Sequence, residues 1–205
     1  KIYEDDIVIF GSFYALNPML REKMLELLNM AREKKAILYY DPNFRISHKD
    51  EAMRLAPTII ENLEYANIVR GSVDDFSYMY NLRDADKIYE DKIKFYCPTF
   101  LYTAGAGNIS LRTSSISKEY PAKQVETVST IGAGDNFNAG LIYGLLKYDV
   151  RYRHLNTLDE ITWDKIIRCG TEFAAEVCRS FDNYVSPEFA SEHQLYNTNT
   201  QTNKK

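Results

Sequence analysis

The sequence predicts an α/β fold built on a mostly parallel sheet with helices on both faces, and three observations carry that prediction. Short continuous apolar runs, each stopped by Gly, Asp or Pro, alternate with segments whose apolar residues recur at three and four positions, the pattern of βαβ units. The residues just after the runs are polar and glycine-rich, as expected where parallel strands open onto one edge of a sheet. Composition is that of an ordinary globular chain, with 45% of the 205 residues apolar and 26% charged.

The first run, Ile7-Val-Ile-Phe10, ends at Gly11-Ser12 and reads as a buried strand. After Asn17-Pro18 the apolar residues Leu20, Met24, Leu27, Leu28 and Ala31 mark one face of a helix. Ala36–Tyr40 is the second run, stopped by Asp41-Pro42, and positions from Ala52 to Leu63 again fit a helix. Ile68-Val69 and Phe100–Thr103 are the third and fourth strands, closed by Arg70-Gly71 and by Gly105. Ile109–Arg112 and Ala122–Val128 then follow with no helix between them, which predicts an antiparallel excursion at the sheet edge. Phe137, Leu141 and Leu145 predict a helix from Gly134, and a second long helix is expected over Ile161–Phe181. The polar residues from 196 to 205 have little to bury and are expected to form a flexible tail behind a domain spanning 1–195.

Several function classes drop out early. The charge balance, 25 basic against 29 acidic residues for a net −4, supplies no basic stripe for nucleic acid. No apolar run approaches the roughly 18 residues of a membrane span. Cys97, Cys169 and Cys178 are odd in number and lack a CxxC pair, so neither a disulfide framework nor a zinc site is implied. His48, His154 and His193 are far apart and lack metal-binding spacing. The 16 tyrosines come without clustered basic residues, so they are expected to pack rather than stack on nucleotides. Neither a G-x-x-x-x-G-K-[ST] loop nor a complete G-x-G-x-x-G fingerprint is present.

Chemistry is concentrated after the strands, at Gly11-Ser12, Asp41–Arg45, Gly71–Asp75 and Ala104–Gly107. The strongest segment is Ser129-Thr-Ile-Gly-Ala-Gly-Asp-Asn-Phe-Asn-Ala-Gly140. Small residues Gly132, Ala133 and Gly134 at a helix start leave backbone N–H groups open beside the positive helix end, a pocket suited to phosphate. Asp135 puts a carboxylate next to that pocket, and a base beside a phosphate cradle is what phosphoryl transfer to a hydroxyl requires.

The stretch Gly132–Gly140 resembles the C-terminal motif of the ribokinase-like (PfkB-type) carbohydrate kinases, and Asp41-Pro-Asn-Phe-Arg45 resembles the DPNxR strand end of their fructokinase-like branch. The resemblance runs in order from Ile7 to Ser186. It implies a three-layer α/β/α sandwich and an ATP-dependent sugar kinase acting on fructose or a related ketose. Asp135 matches the general base, and the amides of Gly132, Ala133 and Gly134 match the anion hole. Ser72 and Asp75 fall where the family has N-x-x-E, which implies nucleotide contact and a role for Asp75 on Mg²⁺ through water. Thr103, Gly105 and Gly107 match the loop at the nucleotide phosphates, Asn43 and Arg45 match the sugar side, and Ala175–Ser186 resembles the adenine wall. Ser129 stands where the family commonly has an aspartate that helps hold a monovalent cation. The chain opens at Lys1 without the family's N-terminal sugar motif or its β-sheet lid. It is therefore read as an N-terminally truncated portion of a cytoplasmic enzyme that dimerises when whole. Exposed apolar surface is expected near Ile7–Phe10, with little kinase activity from the 205 residues alone. The alternatives are a nucleotide-binding module without turnover and a nucleoside kinase of the same family.

Overall fold

The structure is a computed structural model that describes residues 1–195, so the expected tail over 196–205 lies outside the described residues. The chain divides into two compact units, Lys1–Ala122 with Arg151–Leu158, and Lys123–Val150 with the residues from Asp159 onward.

The first unit is a six-stranded sheet in sequential order: β1 (Ile7–Gly11), β2 (Ile37–Asp41), β3 (Ile68–Ser72), β4 (Phe100–Thr103), β5 (Asn108–Arg112) and β6 (Ser117–Pro121). β1 to β4 are parallel and β5 and β6 antiparallel, giving the mostly parallel sheet the apolar runs predict. Helices α1 (Arg21–Glu33), α2 (Ala52–Tyr65), α3 (Val73–Tyr80) and α4 (Ala85–Ile88) connect the parallel strands, α4 passing into a π turn at Tyr89–Ile93. Leu28, Ala31, Leu55, Ile59, Leu63 and Phe76 from these helices meet Leu38, Tyr40, Val69 and Phe100 from the strands in one core. Each Leu, Ile, Val or Phe among them contributes roughly 1.5–3 kcal/mol by leaving water. β1 is an outer strand, and its exposure concentrates on Ile9, which is 55% exposed while Phe10 is buried.

Two expectations need correction. The last strand is Ser117–Pro121, not Ala122–Val128, and it pairs with β5 from Arg112↔Ser117 to Asn108↔Pro121. Its alternating polar residues cover a sheet edge, where charged side chains suit an outer strand better than an apolar run does. Pro121 lies opposite Asn108 at a non-hydrogen-bonded position, so its missing N–H breaks no ladder bond, and the Ala122 N–H still reaches the Gly107 carbonyl at 3.3 Å. Buried Arg112 holds the hairpin together by ion pairs to Asp86 and Glu119, both at 2.6 Å. The second long helix stops at Val177, short of Phe181.

The second unit is built on α5 (Ala133–Lys147) and α6 (Glu160–Val177), with a short α7 (Pro187–Glu192) after them. α5 and α6 approach closely because glycines face the contact. A Cβ on Gly140 would sit 2.5 Å from the Cys169 carbonyl oxygen, and one on Gly144 would sit 3.0 Å from the Ile166 Cα. Gly140→Ala is accordingly expected to destabilise the protein by about 1–3 kcal/mol through overpacking, less the ~1 kcal/mol that alanine returns in helix propensity. Thermal unfolding checks this, and an unchanged midpoint would mean that the helices separate freely.

Candidate functional site

In the first unit the polar residues after the strands converge through one buried side chain. Arg70, 7% exposed on β3, donates from one terminal nitrogen to the Asp41 Oδ2 at 3.2 Å and from the other to the Thr103 Oγ1 at 2.7 Å. It thereby ties together the C-terminal ends of β2, β3 and β4. Sequence reasoning treated Arg70 only as a strand terminator, and nothing in a short Ile-Val-Arg-Gly run marks its side chain as buried.

Asp41 also shapes the loop that follows it. Its Oδ1 accepts the Asn43 N–H at 3.1 Å, and Asn43 adopts a left-handed φ of 40°, a conformation asparagine tolerates well. The Asp41 carbonyl accepts the Ser12 N–H at 3.0 Å. A Cβ on Gly11 would lie 1.7 Å from that same carbonyl oxygen, so only glycine fits there. The loop buries Asp41 and Phe44, leaves Asn43 partly exposed, and turns Arg45 to solvent. Beside it Phe13 and His48 stack with ring centroids 4.0 Å apart, so His48 packs on an aromatic ring.

Asp75 completes this arrangement from α3. Its Oδ2 accepts the Ser72 N–H and the Ser72 hydroxyl, each at 2.6 Å, and its Oδ1 accepts the Phe44 N–H at 2.5 Å. Ser72 caps α3 in return through the Asp75 N–H at 3.3 Å. Burial pushes the Asp75 carboxyl above its ordinary range, against the lowering effect of the Ser72 bonds. A carboxylate that is 5% exposed and serves three protein donors does not fit a direct Mg²⁺ ligand. The geometry instead gives Asp75 the task of fixing the Asn43–Arg45 loop on the start of α3. Among the described residues no group of three or more His, Cys, Asp or Glu gathers around a metal position.

Thr103 ends β4, and the chain turns back through Ala104–Gly107 into β5. The Gly107 N–H donates to the Ala104 carbonyl at 2.9 Å, and Gly105 takes a φ of 58°. Both glycines are exposed, so their backbone faces solvent on a tight turn.

The second unit carries the glycine-rich segment. Gly132, with φ 80°, is the N-cap of α5, and the first helical rung runs from the Asn136 N–H to the Gly132 carbonyl at 2.9 Å. The N–H groups of Gly134 and Asp135 precede that rung and have no partner within the helix. The Ala133 N–H is committed to the Thr130 carbonyl at 3.2 Å, so in this conformation it is not a free donor. Asp135 is exposed in the first helical turn. The Ser129 hydroxyl accepts the Ile131 N–H at 3.2 Å. Ser129 brings a neutral hydroxyl where a carboxylate would bring a negative charge. The Ala175–Ser186 segment returns beside this turn, its Cys178 carbonyl accepting the Val128 N–H at 2.8 Å. Ser186 donates to Glu176 at 2.7 Å and caps α7, a short helix that the sequence pattern did not single out.

Comparison with known proteins extends these observations. The family model described as pfkB family carbohydrate kinase matches residues 2–188. A probable chloroplastic fructokinase-6 of Arabidopsis thaliana is 26% identical over 139 residues, which cover 65% of this chain and 35% of that protein. The aminoimidazole riboside kinase of Salmonella enterica, solved with aminoimidazole riboside and an ATP analogue, superposes with a TM-score of 0.74 at 24% identity, covering 94% of this chain and 63% of its own. A double-mutant fructokinase of Vibrio cholerae O395, solved with fructose, ADP and a potassium ion, superposes with a TM-score of 0.76 at 18% identity, covering 89% of this chain and 57% of its own. The chain thus spans well under half the length of the curated relatives it matches. Among the described residues no helix is long and apolar enough to cross a membrane.

Proposed function

The chain belongs to the pfkB family of carbohydrate kinases, and from that premise we propose that it carries the nucleotide-binding and catalytic part of an ATP-dependent kinase for fructose or a related ketose. The observation that carries the reading is the start of α5, where an exposed Asp135 sits beside the Gly134 and Asp135 amides that precede the first helical rung. In this reading Asp135 accepts the proton that the sugar hydroxyl loses as its oxygen attacks the γ-phosphorus of ATP. The Gly134 and Asp135 amides and the helix N-terminus stabilise charge on the transferring phosphoryl group, a contribution on the order of 3 kcal/mol per donor in comparable anion holes. Asn43 and Arg45 face the sugar, and Arg45 can form a two-pronged contact that lysine cannot copy. A divalent ion, when bound, neutralises phosphate charge. Asp75 acts one step back, by holding the loop that presents Asn43 and Arg45.

A second reading is favoured by one specific comparison. The likeness to an aminoimidazole riboside kinase extends over nearly the whole chain, so a riboside is a credible acceptor. The test is ADP release by the whole protein with ATP and Mg²⁺ across fructose, other ketoses, aldoses and ribosides. Turnover greatest with fructose or another ketose is the expected result. Greatest turnover with a riboside would replace the sugar assignment. Nucleotide binding with no ADP release above the sugar-free blank would leave a binding module and overturn the kinase reading.

A further inference from the structure

The residue after the proposed base does work that neither the fold nor the reaction requires of it. The Asn136 side chain donates from Nδ2 to the Gly132 carbonyl and to the Asn183 carbonyl, both at 3.0 Å. One amide group can do this because it carries two N–H donors. The two backbones it joins are already at closest approach, since a Cβ on Gly132 would lie 2.9 Å from the Asn183 carbonyl oxygen. A second tie lies at the other end of the same pair of segments. There the Cys178 carbonyl accepts the Val128 N–H at 2.8 Å and the Ser129 N–H at 3.4 Å. The stretch from Cys178 to Asn183 is therefore pinned at both ends to the stretch from Val128 to Gly132. Among the described residues no strand or helix ladder joins the two, and these bonds, with the close contact at Gly132, hold them together. At one of the two pins the tie is made by a side chain, that of Asn136.

We propose that Asn136 is a positioning residue for nucleotide binding: it locks the 178–183 segment onto the phosphate-binding turn, so that the two present a single preformed rim. The proposal rests on the kinase reading, and its experiment separates the two. Hydrogen–deuterium exchange on the ligand-free whole protein compares peptides covering 178–186 with peptides from the middle of α6. In Asn136→Ala, and in Asn136→Asp, which keeps the size but removes the donors, the 178–186 peptides are expected to exchange at least about fivefold faster while α6 is unchanged. Titration with ADP is expected to show affinity weakened about tenfold in both variants, with the KM for the sugar within about twofold of the original. Unchanged exchange in both variants overturns the lock. Faster exchange with unchanged ADP affinity overturns its role in nucleotide binding. If the unsubstituted protein fails to bind ADP, the kinase reading falls, and the exchange data still decide whether Asn136 is a lock. General loss of α6 protection in one variant marks unfolding, and the other variant then carries the comparison.

Discussion

Asp135→Asn is expected to lower kcat by at least about 10² while leaving nucleotide affinity nearly intact. Asparagine has almost the same size and can occupy the same first-turn position, but it cannot take a proton from an attacking hydroxyl. The accompanying loss of a negative charge at the positive end of α5 costs only about 0.3–1 kcal/mol of stability, because Asp135 is exposed. Folding and ATP binding should therefore survive a substitution that removes the chemistry. Steady-state rates, paired with titration of a non-hydrolysable ATP analogue, read the two quantities separately. An unchanged kcat would remove Asp135 from the base role, and equal losses in kcat and affinity would make it part of the nucleotide site instead.

The second large effect is on stability. Arg70→Met leaves the Asp41 carboxylate, with its side chain 10% exposed, without the guanidinium that faces it at 3.2 Å. It also takes a donor from the Thr103 hydroxyl. Removing one partner of a buried ion pair typically costs about 3–5 kcal/mol, because the remaining charge stays desolvated. For a protein of this size that corresponds to a fall of roughly 6–20 °C in Tm. Asp41→Asn in the same background should restore part of the loss, since a neutral amide no longer needs a counter-charge. A fall of less than about 1 kcal/mol in the single variant would mean that the pair contributes no more than a surface salt bridge.

Much of the fold was legible where burial is complete on both faces of a strand. Phe100–Thr103 is fully buried, and its predicted bounds coincide with those of β4. The amphipathic faces of α1, α2, α5 and α6 were equally plain. What escaped was structure stabilised by polar groups. β6 alternates exposed and half-buried polar residues at a sheet edge, and no apolar periodicity announces it. α3 was hidden because Ser72–Asp75 was read for chemistry, although Ser-x-x-Asp is also a capping pattern. The same ambiguity governs the site. In the sequence Asp75 is legible only as an acid beside the nucleotide loop, and the three donors around it show that it also holds the Asn43–Arg45 loop. Arg70 and Asn136 were not foreseeable, because Arg70 answers to the Asp41 carboxylate and the Thr103 hydroxyl, 29 and 33 residues away, and Asn136 to the Asn183 carbonyl, 47 residues away.

The first unit takes its last piece, Arg151–Leu158, from beyond α5. The Tyr152 N–H donates to the Asp5 Oδ1 at 2.8 Å, and Arg151 pairs with the same carboxylate at 3.4 Å, across 147 and 146 residues of chain. A ribosome adding about 5–20 residues per second needs roughly 7–30 s to deliver that partner after Asp5 has been made. Throughout that interval the nascent chain holds Asp5, just ahead of the outer strand β1, without its final tether.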